Sequence, residues 1–131
     1  MKREISITPQ NALILVMDET IGVIPDSMNG RLVAATVSCV AIGTISEANG
    51  QCLITLADKA NSESLDSKWP LIFDGVLDTP SKEISVCSVI GERLIGLHVN
   101  EPRTSVKIWA NDQREPSEIR IVVGPKKRSD N

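Results

Sequence analysis

Between residues 82 and 124, small or apolar side chains recur at every second position in four successive runs, with little between the runs but turn-forming residues. Ile84, Val86, Ser88 and Ile90 alternate with polar or small neighbours, as do Ile95, Leu97 and Val99, then Val106, Ile108 and Ala110, then Ile119, Ile121 and Val123. A period of two means that successive side chains point to opposite faces of a strand, one buried and one wet. The intervening Gly91-Glu92-Arg93, Asn100-Glu101-Pro102-Arg103 and Ala110-Asn111-Asp112-Gln113-Arg114-Glu115-Pro116 are rich in residues that set turn dihedrals. The pattern predicts an antiparallel meander, and with it an all-β chain.

The upstream sequence extends the same reading. Ile5 and Ile7 alternate in a first strand ended by Pro9, and residues 12–17 form a short apolar run of the kind buried on both faces. An irregular connection follows, marked by Pro25-Asp26-Ser27 and Asn29-Gly30. Residues 32–45 contain Ala34, Ala35, Val37, Val40 and Ala41, a set compatible with a helix. The β-branched residues, Gly43 and an Asn49-Gly50 turn leading into residues 52–57 favour a long hairpin instead. Residues 58–68 are polar and read as a surface loop, with room for one helical turn. Residues 71–77 resume as a strand, ended by Asp78-Thr79-Pro80-Ser81. The sum is an antiparallel β-sandwich of about eight or nine strands. The loops after Met17 and Asp58 are long enough to carry the chain between its sheets. Residues 1–124 are expected to be a single domain, and residues 125–131 a disordered basic tail with nothing apolar to dock.

At 131 residues the chain is long enough to bury a core without disulfides or metals. That core must be aliphatic, because the sequence holds two Trp, one Phe and no Tyr. Residues 1–124 carry 11 basic and 16 acidic side chains. A mildly acidic body repels polyanions, so no nucleic acid is expected as partner, and a basic protein surface is favoured. No stretch approaches the length that spans a bilayer, which excludes a membrane role of the helical kind and leaves a cytoplasmic location as the expectation. Cys39, Cys52 and Cys87 form an odd set without CxxC spacing, so neither a disulfide framework nor a zinc site is implied. In the hairpin register set by Asn49-Gly50, Cys39 and Cys52 stand too far apart to bond.

The sequence holds no constellation that a reaction would require. His98 is the sole histidine and, by the alternation of Leu97 and Val99, faces solvent. Cys87 shares its parity, yet nothing in the sequence sets a Cys-His pair. Asp74 and Asp78 lie four apart on one strand face, a spacing that serves acid-base work or a divalent cation, and equally the wet side of a strand running into an Asp-initiated turn. Asp18, Glu19 and Asp26 lack the spaced oxygens of a calcium loop. Neither a phosphate loop nor a dinucleotide fingerprint nor a nucleophile elbow occurs, and no cofactor is implied. Lys126-Lys127-Arg128 imitates a nucleic-acid patch but reads as a solubilising tail.

Trp109 is the feature that points to binding. With Val106, Ile108 and Ala110 inward, Ser105, Lys107 and Trp109 face outward beside Glu118 and Arg120 of the next strand. A tryptophan among charges on a sheet face is either a binding anchor or is covered by another segment. Outward placement with partial exposure is the expectation here.

The order of elements resembles the competence protein J family, small bacterial β-sandwich proteins associated with inhibition of a nuclease. The resemblance runs through Glu4-Ile5-Ser6-Ile7, Gln10 and the apolar run behind it. It continues through Leu71-Ile72-Phe73, Ile84-Ser85-Val86-Cys87-Ser88, Arg93-Leu94, Val106-Lys107-Ile108-Trp109 and a final aliphatic strand. It implies a non-catalytic protein that occupies a partner's site. The leading expectation is therefore a β-sandwich binding another protein, a nuclease in particular, as monomer or weak homodimer, with Trp109, Lys107, Glu118, Arg120, Asp74 and Asp78 as binding residues. A small-ligand or carbohydrate-binding module is the alternative, and would show a concave pocket beside Trp109. An enzyme would have to rest on Asp74 and Asp78.

Overall fold

Alternation sorts each strand into a face that seeks a core and a face that does not, and two such sheets laid face to face satisfy both. A computed structural model of the chain, which describes residues 1–59 and 69–125, realises this with ten strands among them: β1 (Lys2–Ile7), β2 (Leu13–Met17), β3 (Val33–Ala35), β4 (Cys39–Gly43), β5 (Cys52–Asp58), β6 (Leu71–Asp78), β7 (Glu83–Cys87), β8 (Arg93–His98), β9 (Arg103–Ala110) and β10 (Glu118–Pro125). The first sheet has the order β1-β5-β10-β9-β6, and the second β3-β4-β2-β7-β8. The all-β sandwich expected from the sequence is the fold observed. Of the predicted polar loop, residues 60–68 lie outside the described residues. So does the predicted tail after Pro125, which itself belongs to β10 opposite Thr104.

The core between the sheets is aliphatic. Ile54, Leu56, Val106, Ile108, Ile119 and Ile121 of the first sheet meet Ile14, Val16, Val40, Ile42, Ile84 and Val86 of the second, all fully buried. Each such side chain contributes about 1.5–3 kcal/mol over leaving it in water. β2 is the central strand of its sheet, and its apolar run is buried on both faces. Ile14 and Val16 enter the main core, while Leu15 and Met17 join Cys39, Ala41 and Cys87 on the outer face of the second sheet, under Met28.

Four topological expectations are corrected. The four C-terminal strands are two hairpins in different sheets: β7 pairs with β8 in the second, β9 with β10 in the first. Alternation reports which face of a strand is buried but not which sheet it joins, so the two arrangements read identically. Asn49-Gly50 is no hairpin turn. Residues Glu47–Asn49 form a 3-10 turn and Gly50, at φ 128° and ψ −160°, sends the chain from β4 in one sheet to β5 in the other. Glycine is needed there for its backbone freedom, and that need is not peculiar to hairpins. Residues 32–45 are strand as expected, but fold back on themselves as the β3–β4 hairpin.

The loop after Met17 joins strands of one sheet, and so does the connection after Asp58. The crossings between sheets are shorter. Two of them, β6 to β7 and β8 to β9, are fastened side by side at buried Thr79, whose N–H donates to the Pro102 carbonyl (2.7 Å) and whose hydroxyl donates to the Glu101 carbonyl (2.9 Å). With its proton used, the Thr79 oxygen accepts from the Thr104 hydroxyl at 2.7 Å.

The loop of residues 18–32 closes over the outer face of the second sheet. A Cβ at Gly22 would stand 2.3 Å from the Met17 sulfur, so any larger residue there would have to displace the Met17 side chain. Asp18, 1% exposed, anchors the loop: its Oδ1 accepts from the Thr20 N–H (2.9 Å) and hydroxyl (2.7 Å), and Oδ2 from the Ser81 N–H (2.8 Å). Burial pushes its carboxyl up, but the Thr20 hydroxyl and the Ser81 and Thr20 N–H groups outweigh this and hold it below the ordinary value of 3.8. A depressed carboxyl adds stability above its unfolded value and loses it as pH falls through the carboxylate range. Asp18→Ala should therefore cost about 2–3 kcal/mol in urea unfolding at pH 7, and much less at pH 2.

All three cysteines are unpaired and buried. Cys39 and Cys52 are unbonded as expected, though for another reason: Cys52 faces the core between the sheets, whereas Cys39 lies on the outer face of the second sheet. Burial pushes the thiols up, to about 11 for Cys39 and about 12 for Cys52 and Cys87, with Glu118 adding to the rise at Cys52 and Glu19 at Cys87. A thiol raised in the folded state keeps its proton where the unfolded chain has lost it. Stability should fall as pH rises above about 9, the ordinary thiol value. Aromatic disulfide reagents should find no reactive thiol in the native protein and three after denaturation; a fast native thiol would contradict this burial.

Candidate functional site

Strand pairing turns the outer face of the first sheet into a grid. One row crosses the sheet as Glu4, Thr55, Arg120, Trp109 and Leu71, each directly opposite the next in register. Below it run Lys2, Ala57, Val122, Lys107 and Asp74, and above it Ser6, Leu53 and Glu118. Val76 and Asp78 continue the β6 column opposite Ser105 and Arg103. All six residues singled out as binding candidates, Trp109, Lys107, Glu118, Arg120, Asp74 and Asp78, therefore stand on one face.

Trp109 is half-buried, packing its ring on Ala57 and Val122, while inward Val106, Ile108 and Ala110 are fully buried. Its outward parity is as expected. Two neighbours were not foreseen. A bulge between Leu71 and Phe73 resets the alternation of β6, so that Leu71, 47% exposed, faces outward opposite Trp109 although Asp74, three residues on, also faces outward. Simple parity hides this, and a bulge leaves no residue signature here. Trp69, just before β6, lies under the Arg120 guanidinium, whose central carbon stands 4.0 Å from the ring centroid. The order Trp69-Pro70 closing a polar stretch was visible, but not the strand two places away that it would cover.

Asp74 and Asp78 do not act on each other. Asp74 stands opposite Lys107, and Asp78 opposite Arg103, which reaches its carboxylate at 3.5 Å. A strand spacing of four residues is on the order of 13 Å, so a facing cation on β9 is the nearer partner for each. Among the described residues no three His, Cys, Asp or Glu side chains come together as a metal site.

His98 is exposed on the outer face of the second sheet, opposite Glu83, whereas Cys87 is opposite Arg93, so the two never pair. A groove of about 440 Å³ runs there past Asp18, Glu19, Ser81 and Arg93. Its charges satisfy one another. Arg93 lies across Gly96, where a Cβ would be 2.3 Å from its nitrogen, and is held by Glu83 (3.0 Å) and Glu19 (3.7 Å). The first sheet's outer face differs in carrying Trp109 and Leu71 toward its β6 edge, with Arg120 on the central strand and Glu4, Lys2, Asp74 and Asp78 on the two edge strands.

Both tryptophans are half-buried. Iodide should quench part of the intrinsic fluorescence, and Trp109→Phe should remove one accessible component; full protection of both indoles would contradict this placement.

Among solved structures, two resemble this fold closely. One is ComJ, inhibitor of the DNA degrading activity of NucA, from Bacillus subtilis, with a TM-score of 0.65 and 13% identity over 95% of this chain and 96% of that one. The other is the product of crocagin biosynthetic gene J, with a TM-score of 0.61 and 11% identity over 96% of each chain. The chain has a ComJ-like fold, as the strand order suggested. No protein-family model and no curated protein matches the sequence.

Proposed function

We propose that this protein is a non-catalytic binding protein that seats another protein on the outer face of its first sheet, and that the partner is a nuclease held inactive. The observation that carries the reading is the half-buried Trp109 beside exposed Leu71, toward the β6 edge of a face that mixes charged, small and aliphatic side chains. Two supports stand beside it. The ComJ-like fold is that of an inhibitor of a DNA-degrading activity, and the acidic body suits a partner whose own surface is basic enough to hold DNA. Asp74 and Asp78, each facing a cation, offer no acid-base couple, which supports a binding role over an enzymatic one. No helix among the described residues is long and apolar enough to cross a membrane, and three unpaired thiols suit a reducing compartment such as the cytosol.

The small-ligand reading needs a concavity beside Trp109. A cavity of about 190 Å³ does open on this face, but it is lined by Lys2, Glu4, Leu53, Thr55, Glu118, Ile119 and Arg120, on the far side of Arg120 from the indole.

The test is to recover partners from the source cell with the tagged protein, then measure DNA cleavage by the recovered nuclease with and without it. Trp109→Ala should weaken binding by at least about 2 kcal/mol. It should lower folding stability by only about 1–2 kcal/mol, against the roughly 3–5 kcal/mol lost when a core tryptophan is removed. Retention of no nuclease, or unchanged affinity of the variant, would end the proposal.

A further inference from the structure

Among the described carboxylates Glu4, Glu118, Asp74 and Asp78 on the first sheet's outer face, only Asp78 is in an ion pair. Toward β6, Asp74 faces Lys107 and Asp78 is bonded to Arg103. Toward β1, Glu4 and Glu118 flank the cavity of about 190 Å³, and neither carboxylate has a cation within the 4.0 Å of an ion pair among the described residues. Glu4 is steadied by the Thr55 hydroxyl, which donates to its Oε2 at 3.3 Å, while the Glu118 carboxylate accepts no hydrogen bond within the described chain. The nearby cation of the same row, Arg120, is drawn the other way, over the Trp69 ring, where the ring's π-face takes up part of its charge. Lys2 stands exposed on the edge strand, its ammonium beyond 4.0 Å of both carboxylates and on a stem flexible enough to move aside. Leu53 and Thr55 form the floor.

We infer that this cavity receives a basic side chain of the partner, its apolar stem over Leu53 and its cationic head between Glu4 and Glu118. The inference rests on the proposed binding face and deepens it. The cavity opens between side chains of β1, β5 and β10, so a side chain enters it more readily than a backbone segment. An acidic partner residue would meet two unpaired carboxylates, whereas a guanidinium or ammonium finds both of its acceptors without displacing an internal ion pair. A surface built to hold DNA phosphates supplies such side chains, and their capture withdraws them from that task. The cavity adjoins Arg120, and Arg120 adjoins Trp109, so one partner covers the anchor and the cavity together.

The experiment has two arms. In the first, the isolated protein is titrated by amide NMR with N-acetyl-arginine methylamide, and separately with N-acetyl-glutamate methylamide. The arginine probe should shift Leu53, Thr55, Glu118 and Ile119 at millimolar concentration, at least threefold more weakly with Glu118→Gln, and the glutamate probe should leave them in place. No localised shift, or equal response to the two probes, overturns the inference. In the second arm, Glu4→Gln with Glu118→Gln should weaken the nuclease complex about tenfold and flatten its salt dependence, with an unchanged melting curve showing that the fold is intact. Unchanged affinity and salt dependence overturn the inference while the Trp109 surface stands. Loss of the Trp109→Ala effect alone, with the arginine titration as expected, removes the proposed function and leaves the cation-binding cavity.

Discussion

The molecule depends on one pairing that joins its two halves, the parallel ladder between β5 and β10. Every other pairing described in either sheet is antiparallel. Without it the first sheet would divide into β1–β5 on one side and β10–β9–β6 on the other. The register sets Arg120 beside Thr55, and so places Glu4 and Trp109 in one row although they are far apart in sequence. Parallel neighbours cannot be joined by a tight turn, and here the chain runs through the second sheet and back before β10 takes its place. The aliphatic layer between the sheets holds that arrangement, because Ile54, Leu56, Ile119 and Ile121 are buried on the same inner side.

The two outer faces then diverge according to what covers them. The second sheet's is partly apolar, with Leu15, Met17, Cys39, Ala41 and Cys87, and residues 18–32 fold across it under the restraint of Asp18. Its remaining charges close on themselves around Arg93. The first sheet's outer face has a tryptophan stacked on Ala57 and Val122, an exposed leucine and unpaired carboxylates. A sheet face in water tolerates charge well, and the exposed aromatic and aliphatic side chains here are what the proposed partner would cover.

Much of the candidate surface was legible beforehand. The inward positions of Val106, Ile108 and Ala110 oblige Ser105, Lys107 and Trp109 to face out, and neighbouring Ile119 and Ile121 oblige Glu118 and Arg120 to do the same. Asp74 and Asp78 share that face because their spacing is even and the bulge in β6 lies before them. Leu71 escaped for the complementary reason, since the bulge falls between it and the rest of its strand. Trp69 and Glu4 escaped because their places depend on segments distant in sequence. Asn49-Gly50 misled because a glycine that adopts positive φ serves a crossing as readily as a hairpin.

What the sequence by itself determined is local: where strands run, which side of each seeks the core, and that the core must be aliphatic. These follow from backbone dihedrals and side-chain hydrophobicity, which act within a few residues. Which sheet each strand joins, the parallel closure of β5 on β10, and the gathering of Glu4, Glu118, Arg120, Trp69 and Trp109 on one face were decided only by tertiary structure. The physical reason is that a strand's alternation is satisfied equally by either sheet. The choice between sheets rests on how the two aliphatic layers interdigitate and on which crossings can be fastened, as at Thr79 and Thr104, and those contacts join residues that no local pattern relates.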